Sequence, residues 1–463
     1  MTDFLDALGR LDVSSALVLA IALAIAFGFE VVNGFHDTAN AVTTVIYTRT
    51  LKATPAVLFS GFCNFLGVLL GGTTIAFSIV HLLPVDLLID AASRSAVVMV
   101  LALLIAGISW NLLTWWFGIP VSSSHTLIGA ILGVGLANGL MSGQGVAAGV
   151  NWGKASEVAM ALLISPAIGF LAAGMLLLVA KKRIKDPSLF VPPPEDPDAR
   201  PPGWIRATLL ATCGGVSLAH GSNDGQKGMG LIMLVLIGLL PTGFALNLDG
   251  DACSARAAAT EMQQALQAEP SPLHRQEIER LDEVLARLDG KQSLREVPYD
   301  QRITLRNLIF QVDRALVRDR DAVPDHRLAA LDAPRKQLRE AIEYVPNWVV
   351  LGVALCLGVG TMFGYKRIVL TVAEKIGKTH LTYAQGASAE VVAMATIGAA
   401  DLLGLPVSTT QVLSSGVAGT MWANRSGVQI ATARNIALAW LLTFPCSMLA
   451  SAWIFVCGRL ALG

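Results

Sequence analysis

Charge is scarce in this chain. Of 463 residues, 15 % are Asp, Glu, Lys or Arg against 54 % hydrophobic, and that supply of charge is too small for the surface of an ordinary soluble fold. The 34 basic and 34 acidic side chains balance to a formal net charge of +0. No global field favours nucleic acid, so no nucleic-acid partner is expected. Cysteine is rare too: Cys63, Cys213, Cys253, Cys356, Cys446 and Cys457 are scattered, with no CxxC spacing among them. Neither a disulfide framework nor a zinc site is suggested, and no cofactor is expected. The amino terminus also lacks the basic stretch of a cleaved signal peptide, since Asp3, Asp6, Arg10 and Asp12 precede the first apolar run. That run is read as a retained span.

Long apolar runs are what the chain has in abundance. A membrane-crossing helix needs ~20 mostly apolar residues, and candidates in the first half are Val13 to Ile46, Pro55 to His81, Ala96 to Phe117, Pro120 to Leu140 and Val158 to Ala180. The second half offers Ala207 to Leu246, Trp348 to Phe363, Tyr383 to Leu403, Pro406 to Trp422 and Ala433 to Phe455. The expected class is an all-α polytopic membrane protein with about ten crossings in the lipid bilayer. Arg49 and Lys52 follow the first span and Lys181, Lys182, Arg183 and Lys185 the fifth, whereas Asp86 and Asp90 with only Arg94 follow the second. The excess of Lys and Arg on the cytoplasmic side puts the 181–206 connection inside and the amino terminus outside. Five crossings per half is an odd number, so a similar second half must be inverted and the carboxyl terminus also outside.

The chain divides accordingly. Residues 1–182 form a first membrane repeat, 183–206 a polar linker with Pro192, Pro193 and Pro194, and 207–248 with 346–463 a second repeat. Residues 249–345 differ in kind: they are polar and carry Ile278, Leu281, Val284, Leu285 and Leu288 at helical spacing. They are read as a soluble helical insert, placed outside by the parity of the crossings.

Two polar motifs interrupt the apolar runs. Gly34-Phe35-His36-Asp37-Thr38-Ala39-Asn40-Ala41 lies inside the first run, and Gly221-Ser222-Asn223-Asp224-Gly225-Gln226-Lys227-Gly228 lies inside the sixth with its Asp in the same place. Ionisable groups at membrane depth mark transport paths, and paired Gly-containing interruptions point to a transporter site built on broken helices. A second pair of segments agrees: Gly118-Ile119-Pro120-Val121-Ser122-Ser123-Ser124-His125-Thr126 echoes Gly404-Leu405-Pro406-Val407-Ser408-Thr409-Thr410-Gln411-Val412. Asp37 to Ser122 is 85 positions and Asp224 to Ser408 is 184, a difference of 99; the 97 residues of the insert nearly account for it. Both pairs therefore belong to one duplicated unit.

The second pair has a chemical logic. Pro suits the first turn of a helix, and a helix amino terminus aims N–H donors and positive dipole at an anion. Two such termini, with Ser122, Ser123, Ser124, Thr126, Ser408, Thr409, Thr410 and Gln411 as donors, would wrap a small tetrahedral oxyanion. The same hydroxyls would also serve close helix packing or bonds to the preceding turn; the doubling at matched spacing favours a site. Asp37 and Asp224, which accept but do not donate when ionised, suit a coupled cation or a proton, with Asn33, Asn40 and Asn223 adding neutral oxygens. A capping Asp is the plainer reading of each alone. His36, His125 and His220 could relay protons or act as neutral hydrogen-bonding groups. Lys227 could contact the anion or pair with an Asp, and Gln226 stands beside it. Glu30 could serve the site or a helix-to-helix hydrogen bond, whereas Glu374, Glu390 and Asp401 fall near predicted span ends, where water is expected to wet them.

These motifs resemble the duplicated G-x-N-D-x-x-N-A signature of the inorganic phosphate transporter (PiT) family, and both Pro-Val-Ser segments are similar to those of that family. The likeness covers Val13 to Ala180 and Ala207 to Phe455, and the insert after the second motif is most similar to the bacterial low-affinity type. The resemblance implies symport of inorganic phosphate across the bacterial inner membrane, with H⁺ as the usual coupling ion of that type and a divalent metal carried with the phosphate. Relatives elsewhere in the family use Na⁺. It further implies that Asp37, Asn40, Asp224 and the Ser and Thr of both Pro-Val-Ser segments form the substrate and cation sites, and it is compatible with a homodimer. His36 stands where Asn is usual and Gln226-Lys227 where Ala-Asn is usual. Those departures favour H⁺, because Lys227 would occupy the charge role of a bound cation. Rival readings are a sulfate or other oxyanion permease, a channel, and a membrane phosphatase with His36 or His125 as nucleophile; an enzyme needs one nucleophile, whereas both halves carry the motif.

Overall fold

The computed structural model describes residues 2–83, 94–143, 145–146, 148–194, 200–268, 274–318, 325–366, 368–369 and 376–462. Among them regular structure is helical, with two isolated β-bridges and no strand. The chain separates into two compact units. One comprises 1–16, 88–92 and 236–346; the other comprises 17–87, 93–235 and 347–463.

The larger unit carries the apolar helices. In chain order they are α2 (Val13–Tyr47, after the short α1, Thr2–Leu8), α3 (Ala53–Leu70), α4 (Thr74–Val80), α5 (Arg94–Trp116), α6 (Ser123–Met141), α7 (Trp152–Arg183) and α8 (Gly203–Leu239). After the insert come α13 (Asn347–Thr361), α14 (Tyr383–Leu402), α15 (Thr409–Ala423) and α16 (Ile430–Leu462). Six of the described helices are long and apolar enough to cross a membrane, and Asn347–Thr361 is a shorter apolar one. Leu163, Leu171 and Met175 on α7 and Leu441, Leu449 and Trp453 on α16 are exposed. In water such faces would be a liability; against lipid they cost nothing, because apolar side chains lose nothing in hydrocarbon and a helix bonds most of its backbone internally. The protein is a multi-pass membrane protein.

The break expected at each Gly-containing motif is absent. α2 runs through Gly34 to Ala41 as one helix of 35 residues, and α8 runs through Gly221 to Gly228 as one of 37. The glycines are there for close approach instead. A Cβ on Gly34 would lie 2.5 Å from the Leu357 carbonyl oxygen of α13, and one on Gly221 would lie 2.2 Å from the Asn64 carbonyl oxygen of α3. Two helices cross at each point with backbones in contact, as small residues allow in membranes. Thr38 is satisfied without unwinding: its hydroxyl donates to Gly34 O at 2.6 Å and to Thr361 O at 2.8 Å.

The breaks occur at the other pair of segments. α5 ends at Trp116 and Gly118 takes φ +66°, with Gly118 N–H donating to Trp115 O and Ile119 N–H to Thr114 O, each at 2.9 Å. The repeat does the same after α14: Gly404 takes φ +67°, Gly404 N–H donates to Asp401 O at 3.0 Å and Leu405 N–H to Ala400 O at 2.9 Å. This is a glycine stop, since only Gly enters the left-handed region without strain. Pro120 and Pro406 then hold the chain extended and lie outside the following helix, not in its first turn as expected, because Ser122 and Ser408 are the N-caps. The span expected from Pro55 to His81 is likewise two helices, Ala53–Leu70 and Thr74–Val80, parted at Gly71 and Gly72.

The halves interlock through their last helices. α7 packs on α15 and α14, and α16 packs on α6 and α5. The exchange is reciprocal, as a two-fold relation between the repeats requires, so each short helix starting at a Pro-Val-Ser segment is clamped by the other half.

The smaller unit contains α9 (Ala252–Ala268), α10 (Arg275–Leu288), α11 (Arg302–Arg318) and α12 (Asp325–Arg339). Leu281, Val284 and Leu288 of α10 join Ala259, Met262, Leu305, Ile309 and Leu338 in its core, with Ile278 and Leu285 packed against them, so the helical spacing read there is borne out. Arg306 is buried in this core, with Nη1 donating to Ile342 O at 3.1 Å and to Ala245 O at 3.3 Å. Burial pushes its pKa down to about 10, which leaves it charged at neutral pH.

Candidate functional site

The glycine stops and serine caps bring two helix amino termini to one place. Ser122 Oγ accepts from His125 N–H and Ser408 Oγ from Gln411 N–H, each at 3.2 Å, satisfying donors that a helix start leaves open. The next side chains point across the molecule. Ser123 donates to Asp37 Oδ2 at 3.1 Å, and Thr410 of the other half donates to Asp37 Oδ1. The Asp37 carboxylate, 2 % exposed, is thus gripped by one hydroxyl from each repeat.

The second aspartate is served differently. Lys227 Nζ donates to Asp224 Oδ1 at 2.6 Å, to Ser124 Oγ at 2.7 Å and to Val407 O at 2.6 Å. One buried ammonium therefore ties the second motif to both Pro-Val-Ser segments. The spacing of Asp224 and Lys227, three apart on a helix, puts them on one face. Lys227 holds the place in its motif that Asn40 holds in the first; the side chain of Asn40 lies outside the described residues.

His220 stands between the two carboxylates. Its Nε2 is 3.2 Å from Asp224 Oδ2 and 3.6 Å from Asp37 Oδ2, while Nδ1 lies 2.9 Å from Asn64 Oδ1. Asn64 in turn donates to Thr361 Oγ1 at 2.9 Å. An oxygen each of Asp37 and Asp224 and a nitrogen of His220 all lie within 4.8 Å of one another, a donor set with the composition to hold a small cation or pass a proton.

The remaining candidates take places around this centre. His36 is buried, with Nδ1 3.8 Å from Asp37 Oδ1 and Nε2 3.5 Å from Thr114 Oγ1. Asn33 and Asn223 are buried with Oδ1 atoms that no hydrogen bond reaches, although Asn223 Nδ2 donates to Leu405 O at 3.3 Å. Gln226 accepts from Ile75 N–H at 3.0 Å and donates to Asp401 at 2.6 Å. Thr409 is buried beside Thr410. Thr126 turns back to Ser122 O at 3.1 Å within its own helix, and His125 sets its ring edge-on to Phe444 at 6.5 Å. No described contact joins Thr126 or His125 to either aspartate.

Sequence reasoning left four groups underused. His220 was noted beside the motif, but its position between the aspartates was not; the repeat carried a signal, since His220 is to Asp224 what Asn33 is to Asp37. Glu30 is fully buried against Gly228, where a Cβ would lie 2.3 Å from its carboxyl carbon. Asp401 is half-buried and bonded to Gln226 and Ser222. Glu390, expected to be wetted near a span end, is 0 % exposed; the neighbouring helices cover it. Glu374 lies outside the described residues.

Known proteins give this arrangement a context. A family model described as the phosphate transporter family matches residues 33–451. The chain is 40 % identical to the "Low-affinity inorganic phosphate transporter PitA" of Escherichia coli, across 96 % of this chain and 97 % of that one. It is 41 % identical to a "Low-affinity inorganic phosphate transporter" of Buchnera aphidicola, with the same coverage. A solved structure titled "The sodium-dependent phosphate transporter" shares the fold at a TM-score of 0.56 and 22 % identity, covering 96 % of this chain and 99 % of its own. With a match over both motifs and nearly its whole length, the chain belongs to the phosphate transporter family, whose members are transporters and not enzymes.

Proposed function

We propose that this protein imports inorganic phosphate across a bacterial inner membrane by symport with H⁺, with the anion bound between the two repeats and phosphate carried as a complex with a divalent metal. The observation that carries the reading is the convergence of Ser123 and Thr410 on Asp37 beside Lys227. It gathers two helix amino termini, hydroxyl donors and a fixed ammonium where an oxyanion would be held. In this reading Ser122, Ser123, Ser124, Ser408, Thr409, Thr410, Gln411, Asn40, Asn223, Gln226 and Lys227 belong to the anion's surroundings. Asp37 and Asp224 carry the coupling charge with Asn33, His36 and His220 near them, while Thr126 and His125 support the helix start. The names of the relatives supply phosphate as the anion.

Coupling to H⁺ is supported by Lys227, which already pairs with Asp224 at 2.6 Å and so supplies the positive charge that a bound Na⁺ would bring. A second reading, Na⁺ symport, is favoured by the close grouping of Asp37, His220 and Asp224. Alternating access follows from one repeat rocking against the other. Both termini are assigned to the periplasm.

Asp37→Asn and Asp224→Asn should each abolish gradient-driven phosphate uptake in proteoliposomes while the protein still elutes as a folded species in detergent. Full uptake by both variants would remove the coupling role, and uptake suppressed by sulfate as strongly as by unlabelled phosphate would change the substrate.

A further inference from the structure

Glu390 lies away from the central cluster and is buried completely. One of its carboxyl oxygens is bonded by the Thr44 hydroxyl of α2, the other by the Thr212 hydroxyl of α8. Around them Ala41, Val45, Leu209, Cys213, Ala389 and Ala393 belong to one apolar cluster. Among the described residues no cation pairs with this carboxyl, although Asp37 and Asp224 are each approached by a histidine and Asp224 also by a lysine.

Two hydroxyls offer an ionised carboxylate only two donors, and the free energy of an unpaired charge in such surroundings is high. The neutral acid fits with no such cost: its O–H donates to one threonine oxygen while its other oxygen accepts from the second hydroxyl, because a hydroxyl can take either role. The place is strategic. Thr44 lies seven positions after Asp37 on α2, Thr212 lies twelve before Asp224 on α8, and Glu390 is on α14, the helix that packs on the one starting at Thr409. One carboxyl thereby fastens both aspartate-bearing helices to the helix pair that presents Thr410.

Of the ionisable groups on the surrounding elements, Arg206 of α8 lies six positions before Thr212, with an Nε that no described hydrogen bond reaches and no described ion pair to Glu390. Cys213 of α8, next to Thr212 in sequence, is a titratable side chain of the surrounding apolar cluster. On α8 and α2, His220, Asp224, Lys227, His36 and Asp37 are engaged with one another, and Glu30 sits against Gly228. On α7, Lys154 pairs with Glu157 at 2.8 Å, and Lys181, Lys182 and Arg183 fill its last turn. Asp401, at the far end of α14, holds Gln226 and Ser222; Tyr383 at its start is near Arg49. α15 has no ionisable side chain, and Asp186 caps the short helix Pro187–Phe190 with its carboxylate on Ser188.

We propose that Glu390 is a second proton-binding site of this transporter, neutral while it is closed in with Thr44 and Thr212, and drawing in water as a further donor to its carboxylate when it ionises. In the releasing step its O–H bond breaks, the proton passes to water entering between the helices, and the carboxylate keeps the electron pair. The junction of α2, α8 and α14 then holds water beside the two threonine hydroxyls. The proposal rests on the H⁺-coupled reading above and adds a site outside the paired motifs of the two repeats.

The test compares wild type, Glu390→Gln and Glu390→Ala in proteoliposomes, in two transport assays and one spectroscopic one. Glu390→Gln, which keeps the neutral hydrogen-bonding shape, should exchange labelled for unlabelled phosphate within about twofold of wild type and lose accumulation driven by a proton gradient by about tenfold or more. Glu390→Ala should lose both. In infrared difference spectra between low and high pH, wild type should show a carboxylic-acid carbonyl band that Glu390→Gln lacks. Accumulation by Glu390→Gln equal to wild type, loss of exchange together with accumulation in that variant, or an unchanged band each overturns the proposal. A wild type that accumulates phosphate only under a sodium gradient overturns the H⁺ reading and the coupling role of Glu390 with it, and the infrared band then separately decides whether Glu390 binds a proton.

Discussion

Asp37 is held by two hydroxyls that arrive from different repeats, Ser123 and Thr410. Each bond involves a charged acceptor, and one such bond is worth about 1.5–3 kcal/mol. Thr410→Ala should therefore loosen the hold on Asp37 and lower gradient-driven phosphate accumulation by roughly tenfold or more; unchanged accumulation would show that this bond does not position Asp37. Asp37, Asp224, Lys227 and the Ser and Thr runs were legible because each stands out against Val, Ala and Leu and is repeated at matched spacing. His220 was less so. Its role depends on Asn64, which orients its ring from a helix 156 positions away in sequence. Glu390 was misread for a related reason: nothing in its own segment announces that Thr44 and Thr212 close over it.

At the level of elements, the motif glycines do not break α2 and α8 but let other helices touch them. Gly221→Ala would put a Cβ 2.2 Å from a backbone oxygen of Asn64, and backbone cannot step aside as a flexible side chain can. Overpacking of this kind costs about 1–3 kcal/mol. The variant should melt at a lower temperature in detergent, and an unaltered melting point would show that α3 and α8 do not meet there. Gly-x-Pro-Val-Ser was readable as a helix stop followed by a helix start, since a left-handed Gly, an extended Pro and a capping Ser each have local causes. The placing of a second break at Gly34 and Gly221 failed because glycine has two uses in a membrane helix, and only the partner backbone tells which one applies.

Across the whole molecule, duplication explains why polar groups can be buried at all. α7 and α16 each pack on the opposite repeat, so the two helix amino termini meet inside protein, where Asp37, Asp224 and Lys227 find one another before lipid does. The outer faces of α7 and α16 remain apolar and exposed. The all-helical class and the repeat were readable from run length and motif spacing. The interlocking of the halves was not, because it is a packing of helices distant in sequence. Lys227 fills in one repeat the place that Asn40 fills in the other, and this asymmetry is the ground on which H⁺ coupling is proposed. The most direct test is uptake of radiolabelled phosphate into proteoliposomes holding the purified protein, with a proton gradient and a sodium gradient imposed separately, each with and without Mg²⁺. The account predicts accumulation under the proton gradient alone, increased by Mg²⁺. Accumulation only under the sodium gradient, or none under either, would contradict it.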